Sequence, residues 1–339
     1  MLFTLKKAAV IGSALLMTLT TACSENKSND TKNEEVVLTK APVFNADSAY
    51  KFVEEQVAFG PRVPNSIAHR ACGDYLIDKL ESYGAEVTVQ EFQATAYNGA
   101  VLQSRNIVGA INPQAKKRIL LAAHWDTRHV ADQDDENKRE PIDGANDGGS
   151  GVGVLLEVAR AMQADSIKTD IGVDIMFFDA EDYGRPEFEE GNNNPNETTY
   201  CLGSQYWSKN KHKLGYHAYF GVLLDMVGAK GATFPREGFS MEVAPKVVDK
   251  IWRTAHALGH GNHFLYEKAA EITDDHVFVN LNAHIPMIDI IDLDITGERT
   301  FFKHWHTHED NMQTIDSETL KAVGQTLLQV VYNEGKPNN

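Results

Sequence analysis

The segment Ile119–Met162 constrains this chain more than any other. It reads ILLAAHWDTRHVADQDDENKREPIDGANDGGSGVGVLLEVARAM. The apolar run Ile119–Ala123 has the character of a buried strand and ends in His124-Trp125-Asp126. A polar loop leads to Asp143-Gly-Ala-Asn-Asp147-Gly-Gly-Ser-Gly151, and the apolar run Val152–Met162 then predicts a helix. A histidine and an aspartate thus stand at a strand end, and a second aspartate stands on a glycine-rich turn that opens a helix. Open α/β sheets build their sites at strand ends. His, Asp and Glu gathered there are the donors a zinc-like cation takes.

The rest of the chain repeats this alternation. Helices are predicted over Asp47–Phe59, Ser66–Tyr83, Val152–Ala164, Leu202–Lys211, Pro245–Leu258 and Ser317–Tyr332. Strands are predicted over Glu86–Thr95, Ser104–Ile111, Ile119–Ala123, Gly172–Phe178, Tyr219–Met226 and His284–Ile291. The pattern predicts one doubly wound α/β domain over residues 43–335, with a mixed, mostly parallel sheet flanked by helices. The 339 residues suffice for such a domain, and the net charge of −16 argues against a nucleic-acid partner.

The first 22 residues are read as a signal, not as fold. Lys6 and Lys7 precede an apolar stretch, Ala8–Thr21, too short to span a bilayer comfortably. Thr21-Ala22-Cys23 resembles a bacterial lipoprotein cleavage box, with Thr20 as its one departure. That resemblance makes Cys23 the lipidated residue and predicts export, with anchoring in the bacterial envelope through lipid alone. Residues 23–42 read as a polar tether. Cys72 and Cys201 are expected to remain unpaired.

Further carboxylates follow apolar strands. Gly172–Phe178 runs into Asp179-Ala-Glu181-Asp182, where one acid can bind a metal while its neighbour serves as a base. Asp225 closes another strand, and Asp274-Asp275-His276 forms a third acidic group. In FFKHWHTHEDN, His304, His306 and His308 alternate, which would set them on one side of a strand. The loop Arg128–Ile142, with Asp132, Asp134, Asp135 and Glu136, is expected to be solvated. The loop Gly184–Thr199 is expected to rim the site.

Taken in order, HxD, GANDGGSG, the acidic pair, Asp225 and HTxED resemble the zinc aminopeptidases of the M28 type. Trp305-His306-Thr307 and Asp274-Asp275-His276 narrow the likeness to the animal-type glutaminyl-peptide cyclotransferases, which also occur in bacteria. That resemblance implies one zinc ion held by Asp147, Asp182 and His306, with Asp182 standing where many relatives have Glu. It implies Glu181 as general base and acid, Asp225 and Asp274 as its hydrogen-bonding neighbours, and Trp305 as a wall of the substrate pocket. It also implies a cis peptide after Asp147, and substrates that are peptides or proteins with N-terminal glutamine. The competing aminopeptidase reading keeps these residues and adds a second zinc on His124 and Asp225, with Asp147 bridging.

Overall fold

The computed structural model describes residues 36–165, 169–189 and 198–335. The leader, the tether up to residue 35, the Cys23 lipidation site and residues 190–197 of the expected rim loop lie outside the described residues. The chain from Val36 onward forms one compact unit.

In chain order its elements begin with helices α1 (Ala46–Val57) and α2 (Ile67–Ser82). Strands β1 (Glu86–Thr95), β2 (Val101–Ile111) and β3 (Arg118–His124) follow. Then come α3 (Gly149–Ala164), β4 (Gly172–Phe178), α4 (Leu202–Lys209) and β5 (Phe220–Asp225). A small unit of β6 (Phe234–Arg236), α5 (Gly238–Val243), α6 (Pro245–Ala257) and β7 (Phe264–Lys268) is inserted next. The chain closes with α7 (Asp275–Phe278), a π-helical turn (Val279–Ala283), β8 (Met287–Ile291) and α8 (Ser317–Glu334). Asn45, Ser66 and Asp316 cap α1, α2 and α8 through side-chain oxygens, which fixes where those helices start.

Six strands form one mixed sheet in the order β1-β2-β4-β3-β5-β8. Strands β4, β3, β5 and β8 are mutually parallel, and β2 runs antiparallel to both of its neighbours. The central strands are buried on both faces, so their sequences are continuous apolar runs rather than alternating ones. Alternation survives in which side each residue packs on. Ile119, Leu121 and Ala123 join the core that holds α1, α3, α6 and α8, while Leu120 and Ala122 join a smaller core with Trp207 and Met287. The edge strand β1 is largely exposed, with Phe92 its one buried side chain.

Helix α3 is buried along nearly its whole length. It seats close to the sheet because Gly151 carries no side chain: a Cβ there would stand 2.5 Å from the Leu224 carbonyl oxygen. The β6–β7 pair and α5 escape the sequence pattern because they are too short for a period to register. Chain order reverses about β3, with β4 on one side and β5 on the other, so the crevice for a site lies at the C-terminal ends of these strands.

Candidate active site

That crevice collects the acidic and histidine residues. His124 ends β3 and Asp225 ends β5. Glu181 and Asp182 follow β4 directly, and Asp147 sits just before α3. His306 comes from the long segment before α8 with φ 56°, a left-handed conformation that is costly for a non-glycine residue. The segment 301–311 is a series of turns and not a strand, which corrects the alternation expected of its three histidines. Only His306 turns inward and is buried; the His308 ring and backbone N–H both meet Asp134 Oδ2 at 2.8 Å.

Buried carboxylates hold the loops in place by each taking two backbone amides, consecutive ones in the case of Asp126 and Asp310. Asp126 accepts from the backbone N–H groups of Glu181 (2.9 Å) and Asp182 (3.1 Å). Asp310 accepts from Asn146 (2.8 Å) and Asp147 (3.0 Å). Asp179 accepts from Arg105 N–H (2.6 Å) and Ala180 N–H (2.7 Å) and contacts His69 Nε2 at 2.8 Å. A loop pinned in this way presents its side chain in one orientation, which a preorganised site requires.

The described peptide bonds are all trans, so the cis bond expected after Asp147 is not present. The turn is made by Gly148 at φ 83°, a conformation that glycine adopts without strain. A Cβ at Gly148 would lie 2.5 Å from the Asp126 carbonyl oxygen, so the close approach also excludes a side chain.

Asp147, Asp182 and His306 offer ligand atoms that all lie within 4.8 Å of one another. His306 Nε2 stands 3.1 Å from Asp182 Oδ1 and 3.7 Å from Asp147 Oδ2. Asp147 Oδ2 and Asp182 Oδ2 are buried with no hydrogen-bond partner. Unpaired carboxylate oxygens in a buried place are costly, and a cation satisfies them. The set of one imidazole and two carboxylates fits zinc. His306 Nδ1 lies 3.1 Å from Asp132 Oδ1, the outer contact that orients a ligating histidine.

Asp132 corrects the reading of its loop as solvated. It is buried, and both of its oxygens accept from the Arg128 guanidinium, at 3.0 and 2.8 Å. Arg128 is itself fully buried and also donates to the carbonyls of Asp182 and Gly184, each at 3.0 Å. Arg62 likewise donates to the Asp143 and Gly144 carbonyls beneath the glycine-rich turn.

A second group of donors adjoins the first. His124 Nε2 lies 3.1 Å from Asp147 Oδ1 and 3.2 Å from Asp225 Oδ1, and these three also form a set within 4.8 Å. Burial disfavours the His124 imidazolium, but the carboxylates of Asp126, Asp147 and Asp225 outweigh it and push the pKa well above the usual value.

Glu181 stands among several carboxylates. Burial raises its pKa well above the usual carboxylate range, and the nearby charges of Asp274, Asp182 and Asp275 add to this against the pull of His124. Its Oε1 accepts from the Cys201 thiol at 3.1 Å. Asp225 is pushed up to about 7, chiefly by burial. Asp274 caps α7 by accepting from the Asp275 N–H. His276 lies behind it, 3.3 Å from Glu237 Oε2.

Asp147, Glu181, Asp182, Asp225, Asp274 and His306 line a cavity of about 210 Å³ with Tyr200, Ile272, Phe301 and Trp305 among its walls. The Trp305 ring stacks on His306 at 3.6 Å and tilts against Phe301 at 4.5 Å. The volume is below the roughly 300–1,000 Å³ of drug-sized sites and suits a single amino-acid side chain. A larger groove of about 580 Å³ lies beyond Phe301, but it contains neither Glu181 nor the metal-type donors. Cys72 and Cys201 are both buried and unpaired.

Residues 106–331 match the model of peptidase family M28. The chain is 52% identical to the glutaminyl cyclase of Bacteroides thetaiotaomicron, solved with N-acetylhistamine; the match covers 87% of this chain and all of that one, with a TM-score of 0.83. It is also 52% identical to a structure from the same organism described as a leucine aminopeptidase precursor, over 88% of this chain and all of that one, with a TM-score of 0.83. A glutaminyl-peptide cyclotransferase of Bos taurus is 26% identical over 302 residues, 78% of this chain and 76% of its own length.

Proposed function

We propose, from the premise that this chain belongs to peptidase family M28, that it cyclises the N-terminal glutamine of peptides and proteins to pyroglutamate with release of ammonia. Its likeness to glutaminyl cyclases from bacteria and animals supports that activity. The observation in the site that carries it is Glu181, a mostly enclosed carboxylate of raised pKa on the wall of a cavity sized for one side chain.

In this reading the glutamine side chain enters the cavity past the packed rings of Trp305 and Phe301, with its amide toward Asp147, Asp182 and His306. A zinc ion on those three residues supplies Lewis acidity toward an amide carbonyl. The peptide's α-amine attacks the side-chain amide carbon, and Glu181 takes the proton that the amine loses. Glu181 then returns that proton to the departing nitrogen, which leaves as ammonia, and the five-membered ring closes. A base that must give its proton back needs a pKa near the working pH, and burial among Asp274, Asp182 and Asp275 is what raises it. Asp274 and Asp225 line the cavity beside it. Apolar walls at Ile272, Phe301 and Trp305 exclude water, which would otherwise compete as nucleophile.

A second reading has one observation in its favour. His124, Asp147 and Asp225 form a further complete donor set, so a dinuclear aminopeptidase could be built from the same side chains. Zinc stoichiometry separates the two. Ammonia release from a glutamine peptide by protein holding one zinc supports the cyclase; two zinc ions and release of a free amino acid would favour the aminopeptidase.

The sequence of the leader supports export and attachment through a lipid on Cys23. Among the described residues no helix is long and apolar enough to cross a membrane. Mass measurement of the mature N-terminus tests this: a diacylglyceryl-modified Cys23 is expected, and an unmodified N-terminus past residue 23 would remove the anchor.

A further inference from the structure

Cys201 has no part in the chemistry above, yet its thiol touches the central carboxylate. The backbone fixes it there. Cys201 N–H donates to the Glu181 carbonyl (2.8 Å), and Leu202 N–H donates to the Ala180 carbonyl (3.0 Å). Both Cys201 and Ala180 hold left-handed conformations, at φ 58° and 52°. The clasp leaves the thiol fully buried, with Sγ 3.1 Å from Glu181 Oε1.

Glu181, Cys201 and Asp274 each present a ligand atom, and the three atoms lie within 4.8 Å of one another. Asp274 is 6% exposed, and its Oδ2 is buried without a hydrogen-bond partner. Its other oxygen is committed to the Asp275 N–H. We propose that Glu181, Cys201 and Asp274 form a second, inhibitory site for a thiophilic divalent cation, zinc in excess or cadmium.

This donor set shares no residue with Asp147, Asp182 and His306, so both sets can be filled together. Glu181 and Asp274 line the cavity, which gives an ion its entry, and Cys201 closes the site from beneath. One sulfur with two carboxylates favours zinc or cadmium; magnesium, which takes oxygen ligands and keeps its waters, is disfavoured. On binding, the S–H bond breaks, its proton leaves to solvent, and a sulfur–metal bond forms without any transfer of electrons. Glu181 is then occupied by the cation and cannot accept the proton of the α-amine. Only the inhibitory consequence rests on the cyclase reading; the binding site stands apart from it.

The test uses the zinc-loaded protein titrated with cadmium, zinc and magnesium. Wild type is expected to bind one further cadmium with an ultraviolet thiolate-to-cadmium charge-transfer band, and to lose cyclase activity over the same concentration range. Magnesium should do neither. In Cys201→Ser the band disappears, and the inhibition midpoint, scaled to that protein's own uninhibited rate, rises ~10-fold or more. Cys201→Ala, with its melting transition checked, serves in its place should the serine variant fold poorly. A titration without the band, or equal inhibition of wild type and variant, would overturn the proposal. If glutamine peptides are not cyclised at all but the band forms, the site stands and the cyclase reading falls.

Discussion

Asp310 holds Asp147 through the backbone. Its Oδ2 accepts the Asp147 N–H at 3.0 Å, while its Oδ1 accepts the preceding amide, of Asn146, at 2.8 Å. The two acids are far apart in sequence, and the contact places the Asp147 carboxylate opposite His306. Asp310→Ala should therefore weaken zinc binding ~10–100-fold, the range for lost support around a metal ligand. Competition with a chromophoric chelator measures this. Wild-type zinc affinity in the variant would show that Asp147 needs no such support.

Glu181 gives the sharpest catalytic prediction. Glu181→Gln keeps the shape and removes the proton acceptor, so cyclisation should slow by ~10²–10⁴-fold. The melting transition should change little, since among the described residues the only hydrogen bond to its carboxylate comes from Cys201. A variant retaining a tenth or more of the wild-type rate would take the proton transfer away from Glu181.

Gly148 tests the turn before α3. Gly148→Ala forces a left-handed alanine, at about 1–2 kcal/mol, with its Cβ 2.5 Å from the Asp126 carbonyl oxygen. Stability should fall by at least that amount in chemical denaturation. Activity should fall with it, because the displaced turn carries Asp147. An alanine variant as stable as wild type would mean that the turn has room to move.

His129 sets a pH dependence of stability. Its ring stacks on Tyr183 at 4.0 Å, and its Nε2 meets the Tyr97 hydroxyl at 3.0 Å. Burial, helped by the Arg128 charge, lowers its pKa to about 4. The folded state therefore stays neutral while the unfolded chain takes up a proton below its ordinary pKa of 6.5. Stability is lost as pH falls from 6.5 to 4, by up to ~3 kcal/mol, and this contribution changes no further below that. Denaturant titrations of wild type and His129→Phe should diverge across that window, with the wild type losing more. Parallel curves would assign the acid sensitivity to other groups.

The strand ends were legible because buried parallel strands are written as apolar runs, and the first polar residue after each run marks the crevice. His124, Glu181, Asp182 and Asp225 could all be placed in this way. His306 is marked by the resemblance of its Trp-His-Thr motif, whereas its alternation with His304 and His308 carries no structural meaning, because the segment is a run of turns that sends only His306 inward. The residues that support the loops were harder to see. Asp132 and Arg128 look like ordinary loop charges until Arg128 is seen enclosed by the Asp182 and Gly184 carbonyls. Asp310 and Cys201 act through contacts with residues distant in sequence, and a local pattern cannot contain such a contact.

Cyclisation is tested most directly by mass measurement on two peptides that differ only in their first residue, glutamine or leucine, incubated with the purified zinc-loaded protein. The glutamine peptide is expected to lose the mass of one ammonia, and the leucine peptide to stay unchanged. Release of free leucine, with the glutamine peptide left uncyclised, would contradict the cyclase reading and would make His124 and Asp225 ligands of a second zinc.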